Sequence, residues 1–557
     1  MSSDTRLLIL GLDGATFEVL DKLRKQVACP NLEELIDTGA RGILDSTRPI
    51  ATLPAWTSFL TTASPAHHGI ADIFLRLPGS NRIEPASGLH RGGPTWLLNL
   101  ANQGLKVGCF GFPGTYPAEN HANLVQVSGF DTPDAKASGR GISPALLRET
   151  IDALGGWHFS ILPEDRRGGI DPDECADALI DDLKLKTRII KEVEKNQHFD
   201  ILAWHIQPSD TIAHHGWASW DRQSPRASSY PESDAFQRVF KAVDEAIAEV
   251  RQSFQPTHIM LVSDHGFGGA GQFVFYLNRF LEKEKYLSFP KASRSQAWLR
   301  KAAFGAGNQV RAHFPKFSKR ALGTLSKLLH PSIFAGLRGQ AFSPSDAIAF
   351  SDELDYAPSV WLNRKSHFQN GTLSDEEADG YLGEIASKLR RVTTPDGVPL
   401  FDHVWTRPTA KRFSNRLPDI VLEPSFINGY RTSFLSSSGP GPVYRKLENR
   451  ELRAGRGYGM PGVHHADGVL ILRGQGWPCA DLPKLGIADA GAIALGLYGV
   501  PVPAWSDWQP PADLQELDIW PPQVSQSDST LPDSSGAADY RMPQEVWERL
   551  KQWGYVN

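Results

Sequence analysis

Five short segments carry side chains that can do metal-assisted chemistry: Leu12-Asp13-Gly14, Ala51-Thr52-Leu53-Pro54, Asp210-Thr211-Ile212-Ala213-His214, Ser263-Asp264-His265-Gly266 and Gly462-Val463-His464. Carboxylates mixed with imidazoles suit Zn²⁺, and Mn²⁺ or Fe²⁺ as well. Two such cations about 4 Å apart can clamp the attacking and leaving oxygens of an in-line displacement at phosphorus. A Thr hydroxyl is protonated at neutral pH, and a bound cation favours its alkoxide, which makes Thr52 a candidate nucleophile. Asp210 and His214 are spaced i, i+4 and so share one face of a helix. His215 and His465 stand beside His214 and His464 as rival ligands.

Each of these residues also has a blander role. Asp13-Gly14 is a common turn pair. Thr52, two residues before Pro54, fits a helix N-cap. Thr57 and Ser58 are rival hydroxyls expected within the helix. His68 and His205 read as structural residues that could also line the site. Cys109 lies in an apolar run and reads as core. Trp204, Trp217 and Trp220 flank the Asp210 segment and serve either stacking or core packing.

The elements that must position these residues are legible from hydropathy. Leu7 to Leu12 is a short apolar run closed by Asp13-Gly14, the pattern of a buried parallel strand. Lys106 to Phe112, Phe199 to Trp204 and His258 to Val262 read the same way, with Ser359 to Leu362, Asp419 to Leu422 and Gly468 to Leu472 as later strands. Helical stretches lie between, including Pro30 to Leu35 capped by Asn31, Ala55 to Leu60, Cys175 to Glu194 and Ser233 to Phe254. Strand alternating with helix predicts an α/β fold with a mostly parallel central sheet and helices on both faces. Such sheets present functional residues beyond the carboxyl ends of their strands, which is where Asp13, Asp210 and Asp264 fall.

The chain has 557 residues, 41% hydrophobic and 22% charged, with a net charge of -5. That is a globular composition with no sign of a nucleic-acid partner. Cys29, Cys109, Cys175 and Cys479 are too scattered for a zinc or redox motif or a disulfide framework. There is no signal-peptide pattern at the start and no apolar run near ~20 residues, so a cytoplasmic protein is expected. Residues 285–345 contain Lys and Arg but no Asp or Glu. They read as basic amphipathic helices: a solvated face, a cap offering cations to a phosphate-bearing substrate, or a peripheral contact with anionic lipid. The expected organisation is a catalytic core over 1–275 and 346–509, a basic helical insert or cap over 276–345, and a Pro/Ser-rich linker with a C-terminal docking helix over 510–557.

Taken in order, Asp13, Thr52, Asp210-x-x-x-His214, Asp264-His265 and His464 resemble the type I phosphodiesterase/nucleotide pyrophosphatase branch of the alkaline phosphatase superfamily. Softer likenesses are Pro65-Ala66-His67-His68-Gly69-Ile70, Pro113-Gly114-Thr115-Tyr116-Pro117, Ser128-Gly129-Phe130-Asp131-Thr132-Pro133 and the ending Glu548 to Tyr555, which resembles a bacterial subgroup. The resemblance implies an alkaline phosphatase-like fold and two divalent cations, Zn²⁺ first and Mn²⁺ second. One would sit on Asp210, His214 and His464; the other on Asp13, Asp264 and His265, bridged to Thr52. It implies hydrolysis of a small-molecule phosphodiester, nucleotide-like or other, through a phosphothreonine. Leu53, Trp56 and His205 are candidates for contacting substrate. Ala55 stands where the nucleotide pyrophosphatases place an Asn that holds a phosphoryl oxygen, so backbone N–H groups of Thr52 or Leu53 at the helix start would take over that task. The sulfatase signature is missing at Thr52. A phosphomonoesterase or phosphotransferase of the same superfamily is the alternative, and a non-catalytic metal-binding or membrane-docking protein the alternative outside enzymes.

Overall fold

The computed structural model describes residues 5–79, 83–133, 139–159, 162, 170–289, 347–409, 411–437, 439–453, 459–506 and 508. Most of the basic stretch, the Pro/Ser-rich segment and the C-terminal helix expected from sequence lie outside these residues.

The strands that matter for the site are Leu7–Leu12 (β1), Ala40–Asp45 (β2), Val107–Phe110 (β3), Leu124–Val127 (β4), Ile142–Ser143 (β5), Ile201–Ile206 (β6), His258–Val262 (β7), Gly266–Phe275 (β8), Gly462–His465 (β9), Asp467–Gly474 (β10) and Leu485–Gly486 (β11). A nine-stranded sheet runs β11-β2-β10-β7-β1-β6-β3-β4-β5. The central β7-β1-β6-β3-β4 run is parallel throughout, while β10 pairs antiparallel with both its neighbours and β5 antiparallel with β4. The expected α/β fold, mostly parallel and covered on both faces, is thus the observed one.

Alternation along β1 shows why it sits at the centre. Leu8, Leu10 and Leu12 point into one core, with helices Pro172–Gln197 (α1) and Ala235–Phe254 (α2) contributing Leu183, Ile190, Val243 and Ile247. Leu7 and Ile9 point into the other core, against Trp56, Phe59 and Ile493. A strand buried on both faces needs apolar residues at every position, which is why its sequence is a continuous run rather than an alternating one.

A separate sheet joins Phe426–Ile427, Tyr430–Phe434, β8 and Tyr444–Lys446, with β9 paired to β8. A third, Ala349–Phe350, Ser359–Leu362, Ile420–Pro424 and Phe401–Thr406, packs its own apolar cluster with helix Asp375–Arg390 and with Leu277, Leu281 and Leu287. Two sequence expectations shift locally. Cys29, not Asn31, occupies the N-cap of helix Pro30–Thr38, because Pro30 is already its first residue; the Asn31 amide donates to Asp244 instead. Thr52 is the first residue of helix Thr52–Thr61 rather than its cap, which is Ala51. Among the described residues no helix is long and apolar enough to cross a membrane.

Candidate metal centre

Register levels the site. Gly11 of β1 lies opposite Val262 of β7, so Asp13 and Asp264 emerge together, two residues on. β6 ends at Ile206, and Asp210 follows in the first turn of helix Pro208–Trp220. The loops are tied to one another: the Gly14 N–H donates to Asp264 Oδ1 at 3.2 Å, the Ala15 N–H to Ser263 Oγ at 2.8 Å, and Ser209 Oγ–H to the Asp13 carbonyl at 2.7 Å. Gly14 adopts φ +68°, and a Cβ there would meet Phe267 at 2.9 Å, so the turn requires glycine.

His464 arrives differently. It sits on β9, paired antiparallel with β8 so that His464 faces Phe267 in register. This brings β9 against the helix bearing His214, so closely that a Cβ on Gly462 would lie 2.0 Å from the Ala213 carbonyl oxygen. His465, on the alternate side of the strand, accepts the Asp467 N–H on Nδ1 and packs its ring beside Phe426.

The convergence is close. Asp210, His265 and His464 have ligand atoms mutually within 4.8 Å, as do Asp13, Asp264 and His265. His265 is therefore common to both groups. His214 Nε2 lies 3.1 Å from His464 Nε2 and 3.5 Å from Asp210 Oδ1. His215 is buried one position on, about 100° further round the helix. Thr52 Oγ1 lies 3.2 Å from His265 Nε2. All eight of these residues are buried.

The second nitrogen of each imidazole fixes which one is offered. His214 Nδ1–H donates to the Gly462 carbonyl at 3.1 Å, His265 Nδ1–H to Gly266 at 3.0 Å, and His464 Nδ1–H to Ile50 at 3.4 Å. A carbonyl can only accept, so Nδ1 carries the proton and each Nε2 presents a lone pair to the centre. That is the usual arrangement of metal-binding histidines.

Four carboxylate oxygens in this centre have no hydrogen-bond donor: Asp13 Oδ1, both oxygens of Asp210, and Asp264 Oδ2. Buried carboxylates without donors are costly unless a cation meets them. Burial pushes Asp210 and Asp264 well above the usual carboxylate range, Asp13's charge raising both and Asp210's raising Asp264 further. Burial also works on Asp13, but His205, through its hydrogen bond and charge, and then His265 and Trp56 hold it below that range. Burial depresses His265, pushes His214 down to about 3, and takes His464 well below the usual imidazole range, with His265, His214 and Arg431 adding to the last. Neutral imidazoles and unsatisfied carboxylates are the donor set of a two-cation site, so the residues present fit the ions that the sequence implies.

Trp56 and His205 lie behind Asp13. The Trp56 indole N–H donates to Asp13 Oδ2 at 3.2 Å and His205 Nε2–H to the same oxygen at 2.6 Å. The Leu53 side chain is in the core. Thr57 Oγ1–H bonds back to the Leu53 carbonyl, and Ser58 Oγ to His68 Nε2, so both rival hydroxyls are engaged within their own neighbourhood. Trp217 and Trp220 pack with Phe236 and Phe267. Cys109 is buried in β3, its thiol pushed up by burial. The sequence did not single out Arg431, which lines a cleft with His464, Tyr356, Phe426 and Ile50. Its strand carries no motif, and only the fold brings residue 431 beside residue 464.

The profile of the family described as type I phosphodiesterase / nucleotide pyrophosphatase matches residues 7–431. No curated protein matches the sequence. The chain is similar to the structure of phosphonoacetate hydrolase from Sinorhizobium meliloti 1021 in complex with phosphonoformate, with 14% identity and a TM-score of 0.50 over 87% of this chain and 94% of the other. It is also similar to murine ectonucleotide pyrophosphatase/phosphodiesterase 5, with 11% identity and a TM-score of 0.46 over 93% of this chain and 100% of the other. At such identity the likeness to the hydrolase is one of fold.

Proposed function

The chain belongs to the type I phosphodiesterase / nucleotide pyrophosphatase family, and from that premise we propose that it hydrolyses a phosphodiester by attack of Thr52 on phosphorus at a two-cation centre. The observation that carries this reading is the set of donor-free carboxylate oxygens and Nε2 lone pairs that converge in two groups sharing His265, whose Nε2 lies 3.2 Å from Thr52 Oγ1. Asp210, His214 and His464 would hold one cation, and Asp13, Asp264 and His265 the other. When bound, the ions, Zn²⁺ or Mn²⁺ by donor type, supply Lewis acidity to the phosphoryl oxygens and favour ionisation of the Thr52 hydroxyl.

The chain's own residues supply position. Thr52 is the first residue of its helix and buried. Its oxygen forms the new bond to phosphorus as the bond to the leaving oxygen breaks, and water then cleaves the phosphothreonine. Residue 54 is proline and carries no N–H, so in this first turn the backbone N–H of Leu53, with that of Thr52 beside it, is the group assigned to a phosphoryl oxygen in the place of the missing Asn. His205 and Trp56 act through Asp13, holding Oδ2 so that Oδ1 turns to the cation site.

The test is steady-state turnover of bis-p-nitrophenyl phosphate against p-nitrophenyl phosphate, with Zn²⁺ or Mn²⁺ added. The expected result is a diester preference, lost by about a thousandfold or more in Thr52→Ala while the variant still binds both cations. A monoester preference would move the chain to the phosphatase alternative, and full activity in Thr52→Ala would remove Thr52 from the mechanism.

A further inference from the structure

In the run Gly266-Phe267-Gly268-Gly269 one residue of four has a side chain. The glycine positions are crowded by neighbours: a Cβ on Gly268 would lie 2.2 Å from Phe426 Cε1 and one on Gly269 2.6 Å from Trp217 Nε1. The one ring that this part of β8 does carry is buried and turned among the candidate cation ligands. Its centroid lies 4.7 Å from that of the His214 imidazole with the planes at 80°, 5.5 Å from that of His464 at 66°, and 6.3 Å from that of His265 at 43°. Two further glycines make room for it. A Cβ on Gly14, in the Asp13 turn, would meet Phe267 Cδ2 at 2.9 Å, and one on Gly462, on the strand of His464, would meet Cε1 at 2.7 Å. Trp217 packs nearly parallel to the ring at 6.1 Å.

An imidazole meets a cation through a lone pair that lies in the plane of its ring, so a ligand must be held against tilting as well as in place. The Nδ1–H bonds hold one edge of each ring, at 3.1 Å for His214 and at a longer 3.4 Å for His464. His464 also stacks on His265 at 3.7 Å. Phe267 meets both His214 and His464 in the edge-to-face arrangement that aromatic pairs favour at about 4.5–7 Å. These two are the imidazoles of one group: the Nε2 of each lies 3.5 Å from Asp210 Oδ1. On the other side of the centre, Asp13 has supports of its own in His205 and Trp56.

We propose that Phe267 is a positioning residue for one of the two cations. Its ring sets the planes of His214 and His464 toward Asp210, so that its loss weakens the cation at Asp210 and leaves the one at Asp13 nearly unchanged. This rests on the two-cation reading and adds to it that the two ions have separable supports, Phe267 on one side and His205 with Trp56 on the other.

The experiment titrates Co²⁺ into the metal-free protein against a competing chelator and follows the visible absorption of the bound ions. The parent is expected to bind two. Phe267→Leu keeps an apolar side chain but no ring. It should weaken one ion by about tenfold or more, with an altered absorption for that ion, and the other by less than about twofold. The weakening should persist when Asp264→Asn is added, because that change removes a ligand from the other group. Phe275→Leu, on the same strand but in a different apolar cluster, should lower Tm without moving either affinity. Equal weakening of both ions, a weakening that disappears in the Asp264→Asn background, or a lower Tm with both affinities unchanged makes Phe267 an ordinary core residue and overturns the proposal. If Phe267→Leu fails to fold, Trp217→Leu decides, because it removes the ring packed against Phe267: the same ion should bind about threefold more weakly, and unchanged affinities overturn the proposal. A parent that binds no Co²⁺ sinks the two-cation reading itself. Two ions bound, both indifferent to Phe267, sink this proposal alone.

Discussion

His205 Nε2–H donates to Asp13 Oδ2 at 2.6 Å, and the Trp56 indole N–H donates to the same oxygen at 3.2 Å. One oxygen of Asp13 is thereby fully engaged and the other, Oδ1, is left without a donor beside His265. Partners of this kind typically cost 10–100-fold in metal affinity when removed. His205→Ala is expected to weaken the cation at Asp13 by about that factor, and Trp56→Phe, which keeps most of the packing, by less. Chelator competition measures both, and unchanged affinities would strip the two residues of a positioning role.

His464 and His465 are adjacent on β9 and face different surroundings. His464→Ala should lower cation affinity by on the order of a hundredfold or more, since on the proposed reading it removes a ligand rather than a supporter. His465→Ala should change it by about twofold or less. Metal content after dialysis separates the two, and reversed effects would exchange their roles.

Gly462→Ala places a methyl group 2.0 Å from the Ala213 carbonyl oxygen. That atom is helix backbone and cannot rotate away. Overpacking of this sort costs roughly 1–3 kcal/mol, and the strain falls between His464 and His214. A lower Tm together with reduced metal occupancy is expected by calorimetry. A normal Tm with full occupancy would show that β9 has room to shift.

Asp131 is buried and its carboxyl is pushed up to about 6 by burial, against hydrogen bonds from Tyr116 and Gly88. The folded state thus binds this proton more tightly than the unfolded chain, whose carboxyl titrates near 3.8. The stability it contributes is complete below the unfolded value and is lost as pH rises through about 6. Asp131→Asn removes the titration. The variant's stability relative to the parent should therefore rise between pH 5 and pH 8 by about 1 kcal/mol. A gap constant with pH would show that Asp131 titrates alike in both states.

Much of this was legible in the chain because apolar runs with acidic ends mark parallel strands. Leu7–Leu12 and His258–Val262 have the expected bounds, and each is followed by an aspartate of the centre. Ala40–Asp45 escaped notice because Arg41 and Asp45 interrupt its apolar pattern on the exposed side of an antiparallel pair. Gly266–Phe275 escaped because its glycines carry no strand propensity; they are there to admit close neighbours, such as the Asp467 carbonyl oxygen at 2.1 Å from a Cβ on Gly266. Trp56 and His205 drew attention as groups for substrate, but which side of Asp13 they occupy depends on Gly11, whose missing side chain makes room for the Trp56 ring. Arg431 lay wholly outside what periodicity or spacing can show.

The placing of β9 late in the sequence sets the order in which the centre is assembled. Synthesis delivers Asp13, Thr52, Asp210, His214, Asp264 and His265 first and His464 long afterwards, beyond the end of the span that matches the family profile. A nascent chain halted before β9 carries the proposed nucleophile and every carboxylate of the centre, but lacks the imidazole that closes the group around Asp210. On the proposed reading, copies that end before β9 would be inert for want of one late strand, and the chain would become a competent hydrolase only once translation has passed it.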